Sequence, residues 1–397
     1  MHLGLYEEPV HTDGRTFDTY GPYARMVLAL ARHFDQVTVF APTTDQPTYF
    51  SGVALDATNV RIVPLPFFAT HAGAYRRAPA IVRAFRRHAA GLDVVIARNT
   101  APLAYVLWWL IRRRGGAFLY RFGSDPMEVL ARSPKYRGPY RWLARAAYGL
   151  EFAIQKHIMR QGYTFVTGQA LFERLQHVTP RMEPLVGSAM AEEDYFQRQD
   201  SCAGQEVRLL YVGRLHEGKG LPEFLDAVAR LRNRGLKVSA DVVGDGPLRE
   251  TLARLARDLG IAGHVRFHGT VAMGPELNGR YNAADIFVLP SVSEGSPRVI
   301  LEALGHSLPV VATEVGNIPE LLGGGRRGVL VPPGDAAVLA AGVEQVLRDG
   351  DFRRRCIREG YPYARQYSLE AMAAAMAEKA KALVAERKGD KGGAARP

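Results

Sequence analysis

Short apolar runs rich in β-branched residues alternate with amphipathic stretches along nearly the whole chain. That is the pattern of parallel sheets covered by helices on both faces. In the first half the runs predict strands at 2–6, 37–40, 60–63, 94–97, 118–121 and 164–167. Apolar positions recur at helical spacing over 23–33, 76–90, 103–113 and 140–159. The second half is more regular, with strands at 207–212, 238–243, 265–268, 286–289, 309–312 and 328–331. Its helices fall at 222–233, 248–259, 276–283, 297–304 and 336–348. Six strands joined by right-handed crossovers make a complete doubly wound domain. Residues 183–205 lack periodicity and carry the acidic cluster Glu192, Glu193 and Asp194, so they read as a linker. An alanine-rich helix over 368–386 has no strand after it. The expected layout is a domain at 1–187, a linker at 188–205, a second domain at 206–365, a helix at 366–388 and a disordered polar tail at 389–397.

Composition agrees with that layout. A chain of 397 residues exceeds one ordinary core, and 47% hydrophobic with 23% charged residues is the balance of a soluble globular protein. The longest strongly apolar stretch, 101–111, falls short of the roughly 20 residues a membrane helix needs. No basic segment followed by an apolar one opens the chain, so the expected location is cytoplasmic. Cys202 and Cys356 stand far apart, outside any metal-ligand spacing, which suits a reducing compartment without a disulfide framework.

The net charge of +11 sits almost wholly in the first half. Residues 1–185 hold 23 Lys and Arg against 13 Asp and Glu, and residues 186–397 hold 28 against 27. From Arg61 to Arg145 the ratio is 16 to 3. Such a bias implies an anionic partner or surface, the plain alternative being a solvated basic face. The helix with Arg76, Arg77, Arg83, Arg86 and Arg87, and the segment 132–145 with Tyr136, Tyr140 and Trp142, suit an anionic membrane surface. Trp108 and Trp109, followed by Arg112 to Arg114, could add an interfacial anchor, although a core helix is the stronger reading there.

Candidate chemistry lies in the second half, at the carboxyl ends of the strands, where open parallel sheets bind ligands. The strand at 207–212 runs into Gly213-Arg214-Leu215-His216-Glu217-Gly218-Lys219-Gly220, whose glycines admit a ligand to the backbone and whose cations can clamp a diphosphate. It is neither a Walker loop nor a Gly-x-Gly-x-x-Gly fingerprint. Val243-Gly244-Asp245-Gly246-Pro247 and Phe267-His268-Gly269 end two further strands. Leu289-Pro290-Ser291 leads to Glu294-Gly295-Ser296-Pro297-Arg298-Val299-Ile300-Leu301-Glu302. There Ser296 reads as a helix N-cap and Pro297 as the first helical residue. A helix start favours negative charge, while glutamates beside it accept hydrogen bonds from hydroxyls. Phosphate and hydroxyls together suggest a nucleotide-sugar; the alternative is a loop glutamate and a solvated helix glutamate. Asp349-Gly350-Asp351 has the Asp-x-Asp form but sits at a helix end, where turn chemistry explains it, and no metal is expected.

Together with 309–313, Gly316-Asn317-Ile318-Pro319-Glu320 and 328–331, these motifs resemble the retaining GT-B-fold glycosyltransferases of the glycosyl transferases group 1 family (family 4 type). The resemblance is strong over about 205–350 and weaker before. It implies an α/β fold of two facing Rossmann-like doubly wound domains, the final helix crossing back to the first. By resemblance Arg214 and Lys219 clamp the diphosphate, and Glu294 contacts donor-sugar hydroxyls. Gly213, Gly244, Gly269, Gly295, Ser296, Pro297, Arg298 and Val299 line the donor, Val271 lies by the base and Glu302 meets the ribose. Departures gather in the first half: Thr12 to Asp18 where the family has a Gly-Gly turn, Phe122 where it often has a His, and Val186-Gly187-Ser188 in place of Asn-Gly.

The implied activity moves a hexose-type sugar from a nucleotide-diphosphate sugar, UDP ahead of GDP, to a hydroxyl of a glycan or lipid-linked acceptor. Cell-surface polysaccharide or glycolipid synthesis is the expected setting, with no cofactor and no nucleic-acid partner. The alternatives are a GT-B sugar-nucleotide epimerase and a nucleic-acid module read from the charge alone, which lacks any helix-turn-helix, zinc or aromatic-platform signature.

Overall fold

A computed structural model describes residues 1–46, 53–123, 125, 130 and 139–393. The chain divides into two compact units, Met1–Val186 with Met372–Pro397, and Gly187–Ala371. Both are α/β with largely parallel sheets, as the sequence pattern implies.

The first unit holds β1 (His2–Tyr6), β2 (Val10–Thr12), β3 (Phe17–Thr19), β4 (Gln36–Thr44), β5 (Val53–Ala54), β6 (Val60–Pro66), β7 (Val94–Arg98), β8 (Ala117–Phe122), β9 (Tyr163–Thr167) and β10 (Met182–Leu185). Their order is β10-β9-β8-β7-β1-β4-β2-β3-β5, with β6 also paired to β4. Among the described residues only β2–β3 and β3–β5 pair antiparallel. All six expected strands are present. Residues 12–18, expected as the loop after the first strand, instead belong to the β2–β3 hairpin, whose turn Asp13 fixes by accepting from the Arg15 and Thr16 amides. Three-residue strands are too short to show an alternating pattern. The chain leaves β1 directly through Glu7-Glu8.

Apolar side chains fill the space between this sheet and its helices, with Phe85 edge-on to Tyr6 and Phe40 at 5.2 and 5.3 Å between centroids. Helix Ala104–Arg113 splits its role: Leu107 and Leu110 are buried, whereas Trp109 is 42% exposed under the Arg113 guanidinium. Of the basic segment 132–145, residues 132–138 lie outside the described ones. Among the described residues no helix is long and apolar enough to cross a membrane.

The second unit holds β11 (Val207–Val212), β12 (Val238–Val243), β13 (Val265–Gly269), β14 (Ile286–Leu289), β15 (Val310–Thr313) and β16 (Gly328–Val331) in the order β13-β12-β11-β14-β15-β16, all parallel. The chain winds from β11 to β12 and β13, then restarts on the other side at β14. The strand order therefore reverses between β11 and β14, which opens a crevice beyond their carboxyl ends.

Three expectations need correction. Residues 188–205 are no loose linker: Arg198 donates to the carbonyls of Tyr281, Ala284 and His306, tying the stretch onto two helix ends of the second unit. A helix at Gly350–Arg365, not expected from the sequence pattern, starts after Asp349 and carries Pro362 within it. The last helix, Leu369–Gly393, runs past residue 388 into the stretch expected to be disordered.

Candidate functional site

The crevice at β11 and β14 brings together residues 75 positions apart. Gly220, with φ +63°, lies so close to the loop after β14 that an added Cβ would sit 1.9 Å from the Pro290 carbonyl oxygen. Only glycine fits there, and that fit lets the 213–220 loop lie against 290–294. The Val292 amide donates to the Gly218 carbonyl at 2.8 Å across the same seam. Gly316, φ +56°, presses from the other side, its missing Cβ 2.2 Å from the Glu294 carbonyl oxygen.

The result is a half-buried ion pair. Lys219 Nζ donates to Glu294 Oε1 at 2.6 Å, and Ser291 Oγ donates to the same oxygen at 2.7 Å. Ser291 is itself fixed, its carbonyl accepting from Thr313 Oγ1 at 2.5 Å. Tyr211 at the end of β11 is buried, which pushes its hydroxyl well above the usual phenol range; the charges of Glu294 and Arg214 both act on it. Arg214, whose carbonyl accepts from Tyr211 Oη at 3.1 Å, is exposed. Arg214, Lys219 and Glu294 thus share one crevice.

Neighbouring turns extend it. The Gly213 amide donates to Val243 O at 3.0 Å and the Gly244 amide to Gly269 O at 2.7 Å. Gly213, Gly244 and Gly269 therefore line up across β11, β12 and β13, with Val271 half-buried just beyond. The helix start differs from expectation. The helix is Arg298–Gly305, Pro297 is its N-cap with ψ 111°, and Ser296 makes no capping bond. Pro297 O accepts from the Ile300 amide at 3.2 Å, so Arg298 and Val299 supply the first helical amides. Gly295 and Ser296 stay in the preceding loop, where the Gly295 carbonyl accepts from the Asn317 amide at 2.9 Å.

Glu302 lies a turn inside this helix and is 8% exposed. Its Oε2 accepts from the buried Tyr281 hydroxyl at 2.9 Å, and Tyr281 stacks flat on His306 at 4.9 Å. Burial holds the His306 pKa down to about 4, so the ring is neutral at pH 7. Its Nδ1 lies 2.7 Å from Asn282 Oδ1. Glu302 is therefore held in place by a packed aromatic pair. Sequence reasoning missed Ser291, Thr313 and Tyr281 as supports of the site; no spacing rule marks them.

No group of three or more His, Cys, Asp or Glu suited to a metal occurs among the described residues. Asp349 caps helix Gly350–Arg365 through the Phe352 amide at 2.9 Å, and Asp351 pairs with Arg354. Turn and cap chemistry accounts for both.

The crevice thus lies at a reversal of strand order, where doubly wound sheets bind ligands, and is lined by glycines, cations and a carboxylate. Residues 206–349 match the model of the glycosyl transferases group 1 family. The chain is 34% identical over 165 residues to the lipopolysaccharide core biosynthesis glycosyltransferase LpsE of Rhizobium meliloti (strain 1021), covering 41% of this chain and 46% of that protein. The chain thus spans less than half the length of the curated relatives it matches. In fold it resembles the sucrose-phosphate synthase of Thermosynechococcus elongatus, with TM-score 0.73, 21% identity, and 97% and 100% of the two chains covered. It also resembles Anabaena HepE solved in complex with UDP, with TM-score 0.70, 16% identity, and 96% and 100% covered. The fold class is that of the GT-B glycosyltransferases.

Proposed function

We propose that the chain transfers a sugar from a nucleotide-diphosphate sugar to an acceptor hydroxyl with retention at the anomeric carbon. The reading rests above all on the Lys219–Glu294 pair beside Arg214, two cations and a carboxylate at one crevice. A diphosphate entering there would draw Lys219 from Glu294 and, with Arg214, gain charge-assisted bonds. Glu294 Oε1, still held by Ser291, would then accept from a sugar hydroxyl. As the bond to the leaving diphosphate breaks, negative charge grows on its oxygen. Arg214, Lys219 and the amides of Arg298 and Val299 are arranged to meet that charge. The leaving phosphate takes the acceptor proton on the front face, so no second carboxylate of the retaining-glycosidase kind is required. Charge stabilisation by these side chains leaves no step that calls for a metal, and EDTA is expected to leave the rate unchanged.

The donor is proposed as a UDP-sugar first and a GDP-sugar second. The acceptor is proposed as a glycan or a lipid-linked saccharide of cell-surface synthesis. The basic balance of the first half and the exposure of Trp109, Trp142 and Leu150 favour a lipid-linked acceptor reached at an anionic membrane surface. A screen of nucleotide-sugars for slow hydrolysis tests the reading without knowledge of the acceptor. Release of the free nucleotide diphosphate from one donor supports it; no turnover of any nucleotide-sugar, or conversion of one into its epimer, refutes it.

A further inference from the structure

The first unit carries a recess of about 520 Å³ on the edge of its sheet away from the carboxyl ends. It lies where Ala117 opens β8, Gly162 leads into β9 and Arg181 precedes β10. Parallel α/β sheets bind substrates at the other edge. Four arginines line the recess, Arg112, Arg160, Arg181 and Arg387, against one carboxylate, Glu386. Phe118 and Leu383 supply an apolar wall.

Part of this charge has a structural role. Helices Ala104–Arg113 and Pro139–Gln161 both end here, and each helix end carries about half a negative charge. Arg387 donates to Gly116 O at 2.5 Å and to Gln161 O at 3.4 Å, while Arg181 is paired with Glu386. Two helix ends therefore offset about one positive charge. The arginines exceed the glutamate by three, so a surplus of about two remains. It sits on Arg112 and Arg160, both exposed in the last turns of their helices. Neither is joined to a carboxylate among the described residues. Planar guanidinium groups around a recess of ligand size match phosphate oxygens in geometry as well as charge.

We propose that this recess binds a phosphate-bearing ligand, either a small phosphomonoester or the phosphate headgroup of an anionic lipid. The site is distinct from the crevice of the second unit and does not depend on the sugar-transfer reading. A natural reporter adjoins it. The three tryptophans, Trp108, Trp109 and Trp142, all belong to the first unit, and the Arg112 guanidinium lies 5.7 Å from the Trp108 ring centroid.

The test records tryptophan emission of the full chain titrated with glycerol 3-phosphate and, separately, with phosphatidylglycerol or phosphatidylcholine vesicles. A saturable change with glycerol 3-phosphate identifies a phosphomonoester site, and one confined to phosphatidylglycerol vesicles identifies a lipid headgroup site. In the Arg112→Ser/Arg160→Ser variant the apparent Kd should rise at least tenfold. Arg254→Ser/Arg257→Ser, which removes equal charge from helix Arg249–Asp258 of the second unit, should shift it less than twofold. All four side chains are exposed, so circular dichroism should show both variants folded. No saturable response to either probe, or an equal loss in the two double variants, would overturn the proposal.

Discussion

In both units the chain winds outwards from a central strand in two directions, β1 flanked by β4 and β7 and β11 by β12 and β14. Both reversals put two loops side by side, yet the loops carry opposite charges. After β11 come the cations Arg214 and Lys219, and after β14 the carboxylate Glu294. After β1 come the carboxylates Glu7 and Glu8, while β7 and β8 bring Arg98 and Arg121. Arg98 pairs with Glu8, and Arg121 with Glu7 at 2.5 Å. Glycines differ as well: Gly213, Gly218 and Gly220 come at once after β11, whereas after β1 the first is Gly14, in the hairpin. Topology thus fixes where ligands meet, and residue type fixes which ones. A glycine-rich cationic loop suits a diphosphate; a carboxylate loop closed by arginines suits hydroxyls alone.

The largest effect is expected in the second unit. Arg214→Ala and Lys219→Ala should each lower turnover by about 10² while thermal unfolding stays near wild type, because each removes a preorganised positive group from the leaving charge. Near-normal steady-state kinetics in either variant would remove that residue from the mechanism.

A contrast of about tenfold should separate the units, the size of one charge-assisted bond. Glu8→Gln and Arg98→Ala should slow sugar transfer by that factor yet leave acceptor-free hydrolysis of the donor within twofold. Equal losses in both assays would mean that the first unit does not serve the acceptor.

Tyr281→Phe should be milder, raising the donor KM about fivefold with kcat little changed, since it loosens Glu302 without touching the diphosphate clamp. A loss confined to kcat would contradict the role given to this tyrosine.

The smallest effect is on stability, and its sign differs between the units. His306 has its folded pKa depressed to about 4 by burial, so its contribution is present above pH 6.5 and is lost as pH falls towards 4. From pH 7 to 5.5 the second unit should lose about 1 kcal/mol. His71 in the first unit is raised by its bond to Glu151, so its contribution holds at low pH and fades as pH rises through its folded value. Unfolding curves of wild type and His306→Asn between pH 5.5 and 7 check this; curves of equal slope would reject it.

The second sheet was legible because strands buried on both faces read as continuous β-branched runs, such as 286–289 and 310–313. The same sequence hid β10, which contains Glu183 and Pro184, and helix Gly350–Arg365, whose polar residues and internal Pro362 mask a stripe of Phe352, Cys356, Ile357 and Ala364. In the site, the motif residues were readable because glycine and charge at strand ends have direct physical meanings. The supports were not: Ser291, Thr313 and Tyr281 act through contacts made only once the loops are folded together. The one-residue shift of the helix start has a local cause, since Pro297 keeps an extended ψ and stays outside the helix.

The most direct measurement is a crystal structure of the full chain with the nucleotide-sugar that the hydrolysis screen selects. The diphosphate should lie within hydrogen-bond reach of Arg214 and Lys219, with the Lys219–Glu294 pair opened and a sugar hydroxyl on Glu294. An empty crevice, or a diphosphate bound away from the loops after β11 and β14, would contradict that placement.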